Sequence, residues 1–396
     1  VSSERPVHDA GEPSVAINLS RKKAYAARLA TNRAVRDSLV EARRVAAPYV
    51  SSLRIALARL AADRLARLGA LVLACLALVA VFADLLASDL PLACRWHGVV
   101  YVLPNVARPS ELAGTDTVHM ERGHAPGDWV LPPLVARGPG QLGEPGEALL
   151  PPLSPGHPMG TDSHGRDVFA RVVHGTRAAL GVGLGAAAVL VGVGVGLGAL
   201  AGFMGGVVDA LVARAVEALT AIPTLVLVLV VGALVPNPTA TTLLLTIALT
   251  RWTELARLVR AEVLLALGSD YVTAARALGA PPRRILLRHV LPNAIGPALV
   301  GAAFAVAWVA LLEATVDFLR AGSVDPAASW GAVMGDARTH PGAWWLVAFP
   351  GAALLAALVA ANLVGEAARD ALDPRLRGAP ATSTERASWA RPAGRP

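Results

Sequence analysis

Lysine is almost missing from this chain. Lys22 and Lys23 are the only two among 396 residues, while arginine is plentiful. Charged residues make up 16% and aromatic residues 5% of the sequence, against 54% hydrophobic residues. A soluble chain of this length needs more polar surface than that, so a polytopic membrane protein is the expected class. The two cysteines, Cys75 in an apolar run and Cys94 in a polar segment, exclude a disulfide framework and a thiolate metal site. No Gly-x-x-x-x-Gly-Lys-Ser/Thr segment occurs, so the chain carries no P-loop for nucleotide hydrolysis. No His-Glu-x-x-His sequence or nucleophile elbow occurs either, so no enzyme class is indicated. No signal peptide is apparent, because the first apolar run opens only near Leu68.

The net charge of +7 is unevenly spread. Thirteen Lys or Arg residues precede Leu68, seven lie from Arg251 to Arg288, and six follow Glu366. Residues 88–177 hold seven, offset by nine acids. Cytoplasmic flanks of membrane spans collect Lys and Arg, so both termini and the 251–293 region are expected inside. Nucleic-acid binding is the other common meaning of a high basic content, but here the basic residues flank spans.

The apolar runs predict six spans. Residues 1–67 read as a basic region whose stretch from Ser51 to Leu68 forms an amphipathic helix, with Asp63 and Arg67 spaced to pair. Leu68–Ala87 is the first span; twenty residues rise roughly 30 Å, enough for the hydrocarbon core. Residues 88–176 read as a long external loop, since twelve prolines between Pro91 and Pro158 oppose long helices and central strands. A small hairpin is expected at Trp96–Leu103. The second span, Arg177–Ala201, carries glycines whose four-residue spacing suits close helix packing. The third, Val207–Val235, contains Arg214 and Glu217, spaced to pair, and Pro223, expected to kink it. The fourth runs from Thr239 to about Leu258 and ends with Arg251, Arg257 and Arg260 reaching to the interface. The fifth is Ala294–Phe318, with Glu313 and Asp317 toward its outer end. The sixth is Ala343–Val364, with Trp344 and Trp345 in the interfacial belt, followed by a basic tail, 365–396. The fold class expected is therefore all-α, with residues 177–364 as a five-span core.

Between the fourth and fifth spans lies Asp270-Tyr-Val-Thr-Ala-Ala-Arg-Ala-Leu-Gly-Ala-Pro-Pro-Arg-Arg-Ile-Leu-Leu-Arg-His-Val-Leu-Pro-Asn293. Ala274, Ala275 and Leu278 offer a small apolar face, Gly279 permits a tight reversal, and Pro281 and Pro282 suit a helix start. Arg283, Arg284 and Arg288 hold the segment at a membrane surface. This segment resembles the EAA loop of ABC-importer permeases: Glu-Ala-Ala, three residues, Gly, and a later Leu-Pro. Thr273-Ala274-Ala275, Gly279 and Leu291-Pro292 stand at that spacing. Thr273 replaces the usual Glu, which puts one polar contact in doubt, and His289 stands where Ile is typical.

Other segments extend the likeness over roughly residues 65–377. Gly160-Thr-Asp-Ser-His-Gly-Arg-Asp167 and Arg369-Asp-Ala-Leu-Asp-Pro-Arg375 are similar to segments of dipeptide, oligopeptide and nickel permeases, the second permease of each pair above all. The resemblance implies a type I ABC importer permease in the bacterial inner membrane, with a homologous permease, two ATPase subunits carrying the ATP, and an external solute-binding protein. It implies that the 270–293 loop transmits ATPase motion into alternating access. No cofactor is expected on this chain. A competing expectation is a stand-alone proton-coupled transporter relaying protons through Glu313 and Asp317. Asp317 and Arg320 stand where many relatives have Ser and Gly; they are spaced to pair. His157, His164 and His174 lack matched ligand spacing, so no metal site is expected.

Overall fold

The computed structural model describes residues 61–123, 125–236, 239–320 and 328–372. The basic N-terminal region, most of the expected amphipathic helix and the end of the tail lie outside them. The first helix, α1, is Arg64–Val81, and it begins because the Asp63 carboxylate accepts hydrogen bonds from the Leu65 and Ala66 amides at 2.7 and 3.1 Å. Asp63 is thus a helix cap and not the partner of Arg67 expected from spacing. The span also differs from 68–87: its helix stops at Val81, and a separate turn, Ala83–Leu86, follows.

The all-α expectation is corrected by residues 88–167. Strands β1 (Ala93–Trp96), β2 (Val99–Val102) and β3 (Trp129–Leu131) form an antiparallel sheet in the order β2-β1-β3. The turn falls at His97-Gly98, with Cys94 opposite both Tyr101 and Val130. The twelve prolines punctuate this region without entering any of the three strands. The buried face of the sheet joins Leu90, Cys94, Leu112 and Met120 into a small core, closed by helix α2, Thr117–Gly123. Burial pushes the Cys94 thiol above its ordinary pKa, with Asp128 adding to the rise.

Helix α3 runs from Val168 to Met204, about 55 Å at 1.5 Å per residue. It starts nine residues before Arg177 because Asp167 caps it, accepting from the Ala170 amide at 2.8 Å. Helices α4 (Gly206–Thr220) and α5 (Thr224–Leu234) make one broken element, bent by 79° at Ala221-Ile222-Pro223. Proline has no amide hydrogen and disfavours helix for the residue before it, which accounts for the break. Arg214 donates to Glu217 at 2.6 Å on the exposed face of α4.

Helix α6, Ala240–Leu267, continues nine residues past Leu258. It lies against α3 with the same direction, because small residues let the backbones meet. A methyl group added at Gly198 would stand 2.5 Å from the Ala256 carbonyl oxygen, and one at Gly194 3.0 Å from that of Trp252. Any larger residue there forces the helices apart. Helix α7 is Asp270–Ala277; a single turn, Pro282–Arg284, and a π-helical segment, Ile285–Val290, then lead without a break into α8, Leu291–Arg320. Helix α9 (Trp330–Asp336) and helix α10 (Trp345–Leu372) complete the bundle. Trp345 is buried against Thr161, whereas Trp344 is exposed.

Among the described residues, α1, α3, the run Pro282–Leu319 and α10 are long and apolar enough to cross a membrane, and the broken α4–α5 pair makes a fifth candidate. Helix α6 has the length, but Arg251, Glu254 and Arg257 interrupt its apolar character. The bundle core joins Leu190 of α3, Val259 of α6, Val272 of α7 and Val309 of α8.

Candidate functional site: the 270–293 loop and its helices

The loop end of the bundle is built by a helix, a reversal and a second helix. Helix α7 stops at a Schellman-type closure: Ala280 N donates to Ala275 O at 3.0 Å and Gly279 N to Arg276 O at 2.9 Å. Gly279 has φ +77°, a left-handed conformation that glycine adopts at no steric cost. Pro281 extends the chain and Pro282 opens the next turn, where its missing N–H costs nothing. Pro292 also lacks an N–H, and it sits where the π-segment hands over to α8. A widened turn there absorbs the proline without breaking the helix.

The loop has an inner and an outer surface. Val272, Ile285 and Val290 are buried in the bundle core. Asn293 Nδ2 donates to the Tyr271 hydroxyl at 3.2 Å and to His289 O at 2.8 Å, bracing α7 against the following helix. The outer surface carries Thr273, Ala274, Leu278, Gly279, Arg283 and Arg284, all exposed; Ala275, Leu291 and Pro292 are half-buried. Leu278 is 88% exposed, which is unusual for so large an apolar side chain at a position held by a tight turn. Tyr271 and Asn293 were invisible as partners in the sequence, because 22 positions separate them and neither carries a periodic signal.

At the opposite end, the segment Gly160–Asp167 ties the sheet region to three helices. The buried Asp162 takes the Arg166 guanidinium at 2.7 Å and lies 3.3 Å from that of the fully buried Arg171. Asp336 of α9 accepts from the Ser163 amide and hydroxyl at 2.9 and 2.8 Å. His157 Nδ1 is 2.8 Å from the Asp167 carboxylate. Trp330 Nε1 donates to Val172 O, and Trp345 Nε1 to Thr161 O, each at 3.0 Å. Of the three histidines weighed as ligands, His174 instead bonds the Ala87 carbonyl. Asp162, His164 and Asp336 do converge within 4.8 Å. Both carboxylates of that group, however, already receive backbone and side-chain donors.

Glu313 is buried in α8, with Asp317 and Ser329 against it, and its Oε2 makes no hydrogen bond among the described residues. Between α4 and α6, Asp209 and Arg260 form a bidentate bridge, the second contact at 2.6 Å. Arg260 therefore joins two helices.

The family described as the binding-protein-dependent transport system inner membrane component matches residues 194–378. A putative peptide transport system permease protein of Brucella suis is 36% identical over 232 residues, 56% of this chain and 74% of that protein. The probable D,D-dipeptide transport system permease protein of Escherichia coli K12 is 37% identical over 231 residues, covering 58% and 77%. The oligopeptide transport system permease protein of Bacillus subtilis is 34% identical over 230 residues, covering 57% and 74%. The apolar helices and these matches define the class, a multi-pass permease component of a binding-protein-dependent transport system in the inner membrane. Within that class the chain belongs to the family of ABC-type peptide transport permeases, so it is not an enzyme and the ATPase is a separate subunit. The stand-alone proton-coupled alternative through Glu313 and Asp317 is not favoured, because the matched family works with a binding protein.

Proposed function

We propose that the chain is one of two homologous permeases in an ABC importer for peptides, working with two ATPase subunits that bind the ATP and with an external solute-binding protein. Peptide cargo is supported by the names of the relatives matched. In this reading six spans cross the membrane, α6 being one of them, with both termini and the 270–293 loop in the cytoplasm and the sheet region outside. The clustering of arginine from Arg257 to Arg288 supports that orientation.

The observation that carries the proposal is the shape of the loop. Leu278 and its flanking Ala274 project outward, beside Arg283 and Arg284, from a turn whose inner side is fixed in the bundle core. A groove on the ATPase takes the apolar tip, and acidic groups at its rim meet the arginines. Because the π-segment runs unbroken into α8, movement of the loop is movement of that span. ATP-driven closure of the ATPases then rocks the spans between outward-facing and inward-facing arrangements. Thr273 replaces a carboxylate in this role and donates to Ser269 O at 3.3 Å within its own helix.

Gly279→Val tests the lever. A β-branched residue at φ +77° is strained, so the reversal opens and the tip is displaced. Peptide uptake should be lost while the amount of chain in the membrane is unchanged. Uptake at the wild-type rate would remove the lever from the account.

A further inference from the structure

Arg251 and Glu254 lie well inside helix α6, away from both of its ends. Helix α6 continues to Leu267, which leaves Arg251 roughly 16 Å from one helix end and about 24 Å from the other. Beside it is Leu190, which lies near the middle of α3. Charges held among packed apolar helices usually face a water-filled cavity or a partner.

The local geometry has three parts. The Arg251 guanidinium stacks on Trp308 of α8, with Cζ 3.7 Å from the ring centroid. Its Nη1 is 2.7 Å from Glu254 Oε1, one turn along the same helix. Both charges open into a cavity of about 500 Å³, whose walls include Leu190, Leu255, Phe304, Leu358 and Asn362. The Glu254 side chain is 53% exposed and that of Arg251 24%.

This pair differs from the other ion pair of α6. Arg260–Asp209 crosses between helices and so holds α4 to α6. The Arg251–Glu254 bridge lies within one helix, and only the stacking of Arg251 on Trp308 reaches α8. A pair within one turn adds little to a helix even in water, less than it costs to keep two charges inside an apolar bundle. As a purely structural device it is a poor one. As a rest state for two binding groups it is well suited. Trp308 holds the guanidinium plane in place, so Arg251 can exchange Glu254 for another carboxylate without losing its orientation. Glu254 is then free for a cation.

We infer that the Arg251–Glu254–Trp308 cavity is a transient binding site for a short solute with free termini. The solute's carboxylate pairs with Arg251, its ammonium with Glu254, and its apolar side chain meets Phe304 and Leu358. This rests on the peptide-import reading and names the part of the path that would recognise the cargo's termini.

The test uses the whole complex, both permeases with both ATPases, in nanodiscs. Binding of labelled tri-alanine is measured directly, with tri-alanine C-terminal amide and N-acetyl-tri-alanine as competitors. The wild type should favour the free peptide over either blocked form by about tenfold or more, the loss expected for one charge-assisted hydrogen bond. R251M should abolish discrimination against the amide, R251K should restore it in part, and E254Q should abolish discrimination against the acetylated form. Co-purification of the ATPases with each variant verifies assembly. Equal competition in the wild type, no measurable binding, or unchanged discrimination in R251M and E254Q would overturn the site. Uptake driven by the loaded binding protein separates the two claims. Wild-type complex that imports no tri-alanine counts against the peptide reading, whereas import by wild type with unaltered discrimination in the variants counts against this site alone.

Discussion

The two ends of the bundle are held by opposite means. At the sheet end, Asp162, Asp167 and Asp336 fasten a proline-rich segment to α3, α9 and α10 through buried charges and indole donors. At the loop end, the outer face from Thr273 to Arg284 rests on one hydrogen-bonded brace and a few buried aliphatic residues. A buried polar network fixes one arrangement, because every unsatisfied group in it is costly. An exposed turn over an apolar base costs little to displace. The contrast suits a permease whose anchored end keeps the span register while its other end is pushed.

Substitutions at the two ends should therefore divide into losses of stability and losses of coupling. The largest effect on stability is expected from Asp162→Ala, which deprives the buried Arg171 of that carboxylate. Breaking a buried pair in this way costs about 3–5 kcal/mol, and thermal melting of the purified complex should show it. Gly331→Val comes next. Even a methyl group there would stand 2.0 Å from the Ala314 carbonyl oxygen, so α9 must move off α8, at about 1–3 kcal/mol. Trp330→Phe keeps most of the buried ring but loses the donor to Val172 O, worth about 1 kcal/mol in the same melting assay. Leu278→Asp should change stability least, within about 0.5 kcal/mol, because the side chain has little packing to lose. It should nevertheless release the ATPase during size-exclusion chromatography. If Leu278→Asp melts early and keeps its ATPase, the contrast between the ends is wrong.

The loop was legible because its signals are local. Gly279, the Pro281-Pro282 pair and the Ala-Ala face each act within a turn or two, so residue type alone points to reversal and exposure. The sheet region was legible only in part. The hairpin of β1 and β2 is local and falls close to the one expected at Trp96–Leu103, but β3 is three residues long and pairs with β1 across more than 30 positions, which no local signal shows. Helix ends were misplaced where a side chain decided the matter. Asp63 and Asp167 each cap a helix earlier than hydropathy suggested. Helix α6 misled in the other direction. Arg251, expected at the end of a span, is followed by helix as far as Leu267, and its contact with Trp308, far away in sequence, left no local signal.

The contact between α3 and α6 has a consequence for how a push travels. With Gly194, Gly198 and Gly202 set close against the backbone of α6, the two helices have little side-chain cushion to deform at these points. They behave as a single stiff spar, and α3 alone is about 55 Å long. Over that length a tilt of one degree shifts the far tip by about 1 Å. A small stroke at the Met204 end would therefore be carried along α3 to Val168, where Asp167 caps the helix at the close of the segment Gly160–Asp167.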